Sequence, residues 1–146
     1  MIYIIGFLTA IILFSLSLLH VYWAFGGKSG LVTAIPTADG QPLFTPTPTD
    51  TFLVAFALLS AAGVVFGNFG YRIPLLPAWS YRIGIWGIAA VFLLRAIGEF
   101  RYIGFFKQVR DTPFARQDTL LYSPLCLFLA VCCLVVAIST SGELSN

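Results

Sequence analysis

IYIIGFLTAIILFSLSLLHVYWAF, residues 2–25, carries no acidic or basic side chain other than the imidazole of His20. Roughly 20 such residues, rising 1.5 Å each as a helix, match a hydrocarbon core of about 30 Å. The stretch therefore predicts a transmembrane helix at the start of the chain. A cleaved signal peptide is the competing reading, because Ala24 and Gly26 have the small-residue spacing of a cleavage site. Against it, the stretch has no positive n-region and is too long for an h-region.

The remainder of the chain repeats this pattern. Of 146 residues, 59% are hydrophobic and only 10% charged, and the mean hydropathy is +0.94. So few charges cannot cover a water-facing surface. Apolar segments recur at 51–69, 82–98 and 119–139. With 2–25 they predict an all-α, integral membrane four-helix up-and-down bundle forming one domain over 1–146. Residues 26–50 break the pattern with Gly26, Gly27 and Gly30, then Pro36, Pro42, Pro46 and Pro48. A connection this long is either flexible or functional, for example as a lid. Asp50 or Thr51 can cap the second helix, while Asp118 can cap a fourth helix from Thr119, or Ser123 one that begins at Pro124. A Pro-containing turn over Tyr71–Pro77 leads to Trp79, Tyr81 and Arg82, a headgroup-anchoring mixture.

Several function classes are excluded. The net charge of +2 is small and dispersed, which leaves no nucleic-acid footprint. Cys126, Cys132 and Cys133 fall in one apolar run and read as small fillers at helix contacts. No nucleophile–base–acid set, phosphate-cradling glycine loop or paired-histidine motif occurs. The residues thus name no catalytic group, no cofactor and no metal site.

Helices in lipid pack through small residues that permit close approach. Gly6, Ala10, Leu13, Ser17, His20 and Ala24 form one such stripe in the first span; Ser60, Gly63 and Gly67 form another in the second. Gly84, Gly87, Val91, Arg95 and Gly98 align in the third, and Asp118, Tyr122, Cys126, Ala130, Cys133 and Ala137 in the fourth. Up-and-down connectivity brings the end of span one, the start of two, the end of three and the start of four to one membrane side. His20, Asp50, Arg95, Glu99, Asp118 and Tyr122 all lie there. Ionisable residues at such depth are costly and point to a site when they face the bundle interior.

The candidate ligand-binding residues are therefore His20, Trp23, Arg95, Glu99, Asp118 and Tyr122. Arg95 can snorkel to the headgroups, but its place on the glycine stripe favours an inward pairing, chiefly with Asp118 and with Glu99 assisting. His20 is expected to share that pocket. As the sole histidine it can bind a metal or haem or shuttle a proton, yet a hydrogen bond across helices is its commonest use. Tyr22 and Trp23 read first as interfacial aromatics and second as a stacking wall.

Three runs carry a resemblance: His20-Val21-Tyr22-Trp23-Ala24-Phe25-Gly26-Gly27, Arg95-Ala96-Ile97-Gly98-Glu99, and Phe114-Ala115-Arg116-Gln117-Asp118 continued by Tyr122-Ser123-Pro124-Leu125-Cys126. Over essentially its whole length the chain resembles domain-of-unknown-function family 3995, small bacterial four-helix membrane proteins, with Glu99 where an aspartate is more often expected. The resemblance implies the fold and a bacterial membrane setting, and brings no activity, ligand or cofactor with it.

The reading that follows is a multi-pass protein of a cell membrane, the bacterial inner membrane, binding a small or lipid-like ligand in a polar pocket at one membrane face beneath the 26–50 loop. The alternatives are a membrane enzyme using His20, Glu99 and Asp118 as acid-base groups on a lipid-soluble substrate, and a structural subunit of a membrane complex. The lipid bilayer is the expected partner, and the small-residue faces leave room for a homo-oligomer. Lys28, Arg101, Lys107, Arg110 and Arg116 share one side, against Arg72 and Arg82 on the other. The positive-inside rule then sets both termini outside the cytoplasm. A reporter that works only in the cytoplasm, fused after Asn146, is expected to be silent; activity there would reverse the orientation.

Overall fold

A computed structural model describes residues 1–38, 40–71 and 76–142. Four helices are long and apolar enough to cross a membrane. The first, α1, runs over Ile2–Ala24. A one-turn helix α2 over Leu31–Ala34 and a two-stranded hairpin, Thr37–Ala38 against Gln41–Pro42, follow in the loop. The long helices α3, Pro48–Gly67, and α4, Ala78–Ile97, come next. Helix α5, Pro113–Gln117, passes through a π-helical turn at Asp118–Tyr122 into α6, Ser123–Gly142. Helix α1 packs most extensively on α3 and α4 on α6, with lesser contacts joining the two pairs. Arg72 lies outside the described residues, as does most of the turn expected between Tyr71 and Pro77.

Small side chains bring the four helices together. The core holds Ala10 and Leu13 from α1, Ala62 and Val65 from α3, Ile85 and Ala89 from α4, and Leu129, Cys133 and Val136 from α6. Its outside is equally apolar: Phe56, Leu94 and Ile138 are 70%, 67% and 63% exposed. A surface of this kind is untenable in water and is the side a bilayer solvates. The chain is thus a multi-pass membrane protein. Hydroxyl and amide groups tie the helices where packing alone gives no direction. Ser17 Oγ donates to the Ala55 carbonyl at 2.7 Å, and Asn68 Nδ2 donates to the carbonyls of Val64 and Tyr81.

Two helix starts lie upstream of their expected positions. Thr47 caps α3 in a reciprocal capping box with Asp50, and Pro48 occupies the first turn, where its missing N–H costs nothing. At α5 Thr112 Oγ1 likewise accepts from the Ala115 N–H and Pro113 occupies the first turn, without the reciprocal bond. The fourth span therefore begins at Pro113, and the choice between caps at Asp118 and Ser123 does not arise. Pro124 can give no hydrogen bond to the preceding turn, and its ring crowds that turn's carbonyl. The π-helical turn immediately before it widens the helix at that point, with the Ser123 N–H bonding to the Asp118 carbonyl.

The expected stripes match the buried faces of α1 and α6 but only parts of α3 and α4. Gly67 sits directly beneath the Tyr81 ring and Gly84 against Val64, whereas a side chain at Gly63 or Gly87 would meet open space. Tyr81, Ile85, Ala89 and Ala96 form the buried row of α4, while Val91 is 64% exposed. Gly67→Leu should accordingly cost about 2 kcal/mol through overpacking against Tyr81, and Gly63→Leu should leave stability nearly unchanged. Thermal unfolding of both variants in mild detergent tests this; equal shifts would mean that the Gly67–Tyr81 notch is not a packing contact.

Candidate functional site

Arg95 lies in the last turn of α4, where a cation favours the negative end of the helix dipole. The chain then reverses sharply. Gly98 and Gly104 take φ of +85° and +89°, and their backbones approach so closely that a side chain on either would collide with the Ile103 or the Ile97 carbonyl. The Phe105 N–H returns to the Ala96 carbonyl at 2.9 Å, satisfying one of the acceptors that a helix end leaves open. This fold-back delivers the Gly104 N–H and the Lys107 side chain to the π-helical turn.

There they meet Asp118, which has no exposed surface. Its Oδ1 accepts from Arg95 Nη2 at 2.9 Å. Its Oδ2 accepts from the Gly104 N–H at 2.8 Å, Lys107 Nζ at 3.0 Å and Ser123 Oγ at 3.1 Å. Lys107 is 2% exposed, and its three protons are all used, the other two going to the Gly104 carbonyl at 2.9 Å and Thr119 Oγ1 at 2.7 Å. Thr119 passes its own proton to the Ala115 carbonyl. The network gathers around a carboxylate, and among the described residues Arg95 Nη1 is left buried without a partner. A wholly buried carboxylate held by four donors is out of a substrate's reach, and protonating it would loosen the fold at that point. The chemistry of this cluster is that of a fastening between α4, the 98–112 loop and the fourth span.

The six candidate residues occupy four settings. Arg95 and Asp118 are joined directly. Glu99 is exposed and turns away, its Oε1 accepting from the Tyr102 N–H at 2.6 Å, so it closes the reversal instead of pairing with Arg95. His20 and Trp23 line a separate pocket of about 230 Å³ between α1, α3 and the loop, with Asp50, Leu31, Ile35 and Phe44 among its walls. Among the described residues no hydrogen bond or ion pair links His20 to the Asp118 cluster.

The pocket is roofed by the loop, which a few separate contacts hold. Trp23 Nε1 donates to the Ser29 carbonyl at 2.8 Å, holding the start of the loop, and α2 rests on α5. Tyr122 lies between these parts, its hydroxyl 3.4 Å from Thr33 Oγ1 and its ring 6.2 Å from that of Phe114. His20 stands edge-on to Trp23 with centroids 5.0 Å apart. Its Nδ1 lies 2.8 Å from the Leu16 carbonyl. A carbonyl can only accept, so Nδ1 carries a proton, and the tautomer that this bond selects has Nε2 as its acceptor. Among the described residues no group of three or more His, Cys, Asp or Glu side chains gathers as a metal would need.

Sequence reasoning missed Lys107, Gly104 and the bond from Ser123 to Asp118. Lys107 sits in a charged loop where solvation is the default. The signal that could have drawn it in is the pair Gly98 and Gly104, which brackets a reversal tight enough to aim the next residues back at the helix end.

A family model described as Protein of unknown function (DUF3995) matches residues 13–133. No curated protein and no solved structure matches the chain.

The cluster makes a charge count that a stability series can read. Asp118→Asn strands Arg95 and Lys107 together and should cost on the order of 3 kcal/mol. Adding Lys107→Met should recover more than half of that loss. Arg95→Leu alone should be milder, because the Lys107–Asp118 pair survives it and Arg95 is already 33% exposed. Thermal unfolding in detergent measures all three; equal losses for Asp118→Asn and Arg95→Leu would assign the fastening to Arg95 and not to Lys107.

Proposed function

From the premise that the chain belongs to the DUF3995 family of proteins of unknown function and is a multi-pass membrane protein, we propose that it binds a small amphiphile in the His20–Trp23 pocket at one membrane face. The observation that carries this reading is a half-buried imidazole that lines a mostly apolar cavity with its Nδ1 committed to the Leu16 carbonyl, a tautomer that offers Nε2 to a ligand. Such a site suits a ligand with one hydrogen-bond donor on an apolar body, in the manner of small-molecule pockets with few polar groups. Trp23 supplies a flat wall and Tyr122 steadies the roof. Arg95 and Asp118 act from outside the pocket by holding the ends of α4 and the fourth span in place, and Glu99 shapes the reversal between them.

The same reading sets the bundle in a bacterial inner membrane with this pocket on the cytoplasmic side, supported by the cations of the loops around it. An acid-base enzyme built on His20, Glu99 and Asp118 gains no support from the geometry, since the three are not gathered and Asp118 is buried and held by four donors.

Mass spectrometry of the organic extract from detergent-purified protein tests the binding reading. The unaltered chain should carry an amphiphile at near-stoichiometric amount, and His20→Ala should retain about tenfold less, the cost of one unsatisfied polar group in an apolar cavity. Identical extracts from the two proteins would end the proposal.

A further inference from the structure

A second concave surface lies against the outer side of the Asp118 cluster. Phe105, Lys107, Arg110, Arg116, Thr119 and Leu120 enclose about 530 Å³ at the edge of the apolar belt. Lys107 forms its back wall with every proton already engaged. Arg110 and Arg116 are exposed at its rim. Arg110 Nε donates to the Lys107 carbonyl at 3.3 Å, which fixes the stem of that side chain and leaves the outer guanidinium nitrogens to the groove. Among the described residues neither arginine meets a carboxylate. Behind them, Asp118 balances only one of Arg95 and Lys107, so the wall itself carries a surplus positive charge. Below them the lip is apolar, with Leu120 68% exposed toward the bilayer.

Two unpaired guanidiniums above an apolar lip at membrane-surface depth match one ligand geometry: a phosphate ester with hydrocarbon beneath it. Within the π-helical turn Asp118 is buried while Thr119 and Leu120 line the groove. We propose that this groove is a binding site for an anionic phospholipid, its phosphodiester held by Arg110 and Arg116 and its acyl chains passing Leu120. The site is independent of the His20 pocket and stands or falls without it.

Native mass spectrometry of the full chain in mild detergent, titrated with phosphatidylglycerol or phosphatidylcholine, tests the proposal. Phosphatidylglycerol should bind at least about tenfold more tightly than phosphatidylcholine, and Arg110→Gln with Arg116→Gln should remove that preference. A charge-matched control, Lys28→Gln with Arg82→Gln, should keep it. Arg110→Lys with Arg116→Lys should bind with intermediate affinity, because point charges attract the phosphate without the bidentate fork. Millimolar inorganic phosphate should not displace the lipid. Loss of the preference in the control pair would show a diffuse charge effect, and displacement by phosphate would show a free-anion site. Either result, or an unchanged preference in the Gln pair, overturns the proposal. Should the Gln pair fail to fold, the Lys pair decides alone: affinity equal to the unaltered chain would overturn it.

Discussion

A carboxylate with no exposure to solvent must find donors within the protein, and at Asp118 that requirement organises one whole end of the bundle. Its partners come from the last turn of α4, from a backbone amide and a lysine in the following loop, and from the start of α6. Each of these segments would otherwise present an unsatisfied polar group at membrane depth. Lipid supplies no hydrophobic force to hold the segments together, so the hydrogen-bonded charges give that end its direction and register. Apolar packing between small side chains does the same work at the bundle centre, where no charge is present.

The loop between α1 and α3 uses a different strategy. It is held by single, separated contacts: Trp23 to Ser29, α2 on α5, and the Thr33–Tyr122 approach. A roof so fastened encloses the His20 pocket without the redundancy seen around Asp118. The site proposed to take a ligand thus borders the less firmly tied element, while the charged cluster beside it stays fixed. That division fits a protein whose fold must persist while one cavity exchanges its contents.

Much of this was legible in the residues. Four predominantly apolar runs announced the helices, and the shared membrane side, the glycine stripe and the cost of an unpaired charge together pointed Arg95 to Asp118. The capping residues at Thr47–Asp50 and Thr112–Pro113 carry recognisable start signals, although the apolar runs drew attention to later positions. Small-residue periodicity succeeded on α1 and α6, yet on α3 and α4 glycines lie on both the packed and the lipid-facing sides. In water a polar face would have broken that tie; in hydrocarbon both faces are apolar and the sequence offers no contrast. Lys107 was hidden for the opposite reason, since a basic residue in a polar loop normally points to solvent and only the tertiary reversal buries it. His20 and Arg95 share a membrane side as connectivity required, but sharing a side does not fix which pocket each residue lines.

The pairing of Arg95 with Asp118 also bears on how the chain enters the bilayer. The two residues are 23 positions apart, so the arginine leaves the ribosome well before the carboxylate that will neutralise it. Helix α4 is also the least apolar of the spans, with a mean hydropathy of 1.4 against 2.5, 1.9 and 2.6 for the others. It therefore combines the weakest partitioning with a temporarily unmatched cation. Insertion of α4 is expected to be helped by the fourth span, which supplies both the carboxylate and the extensive α4–α6 contact. On that expectation the helix pair, and not the single helix, is the unit that the insertion machinery has to deliver in the second half of this chain.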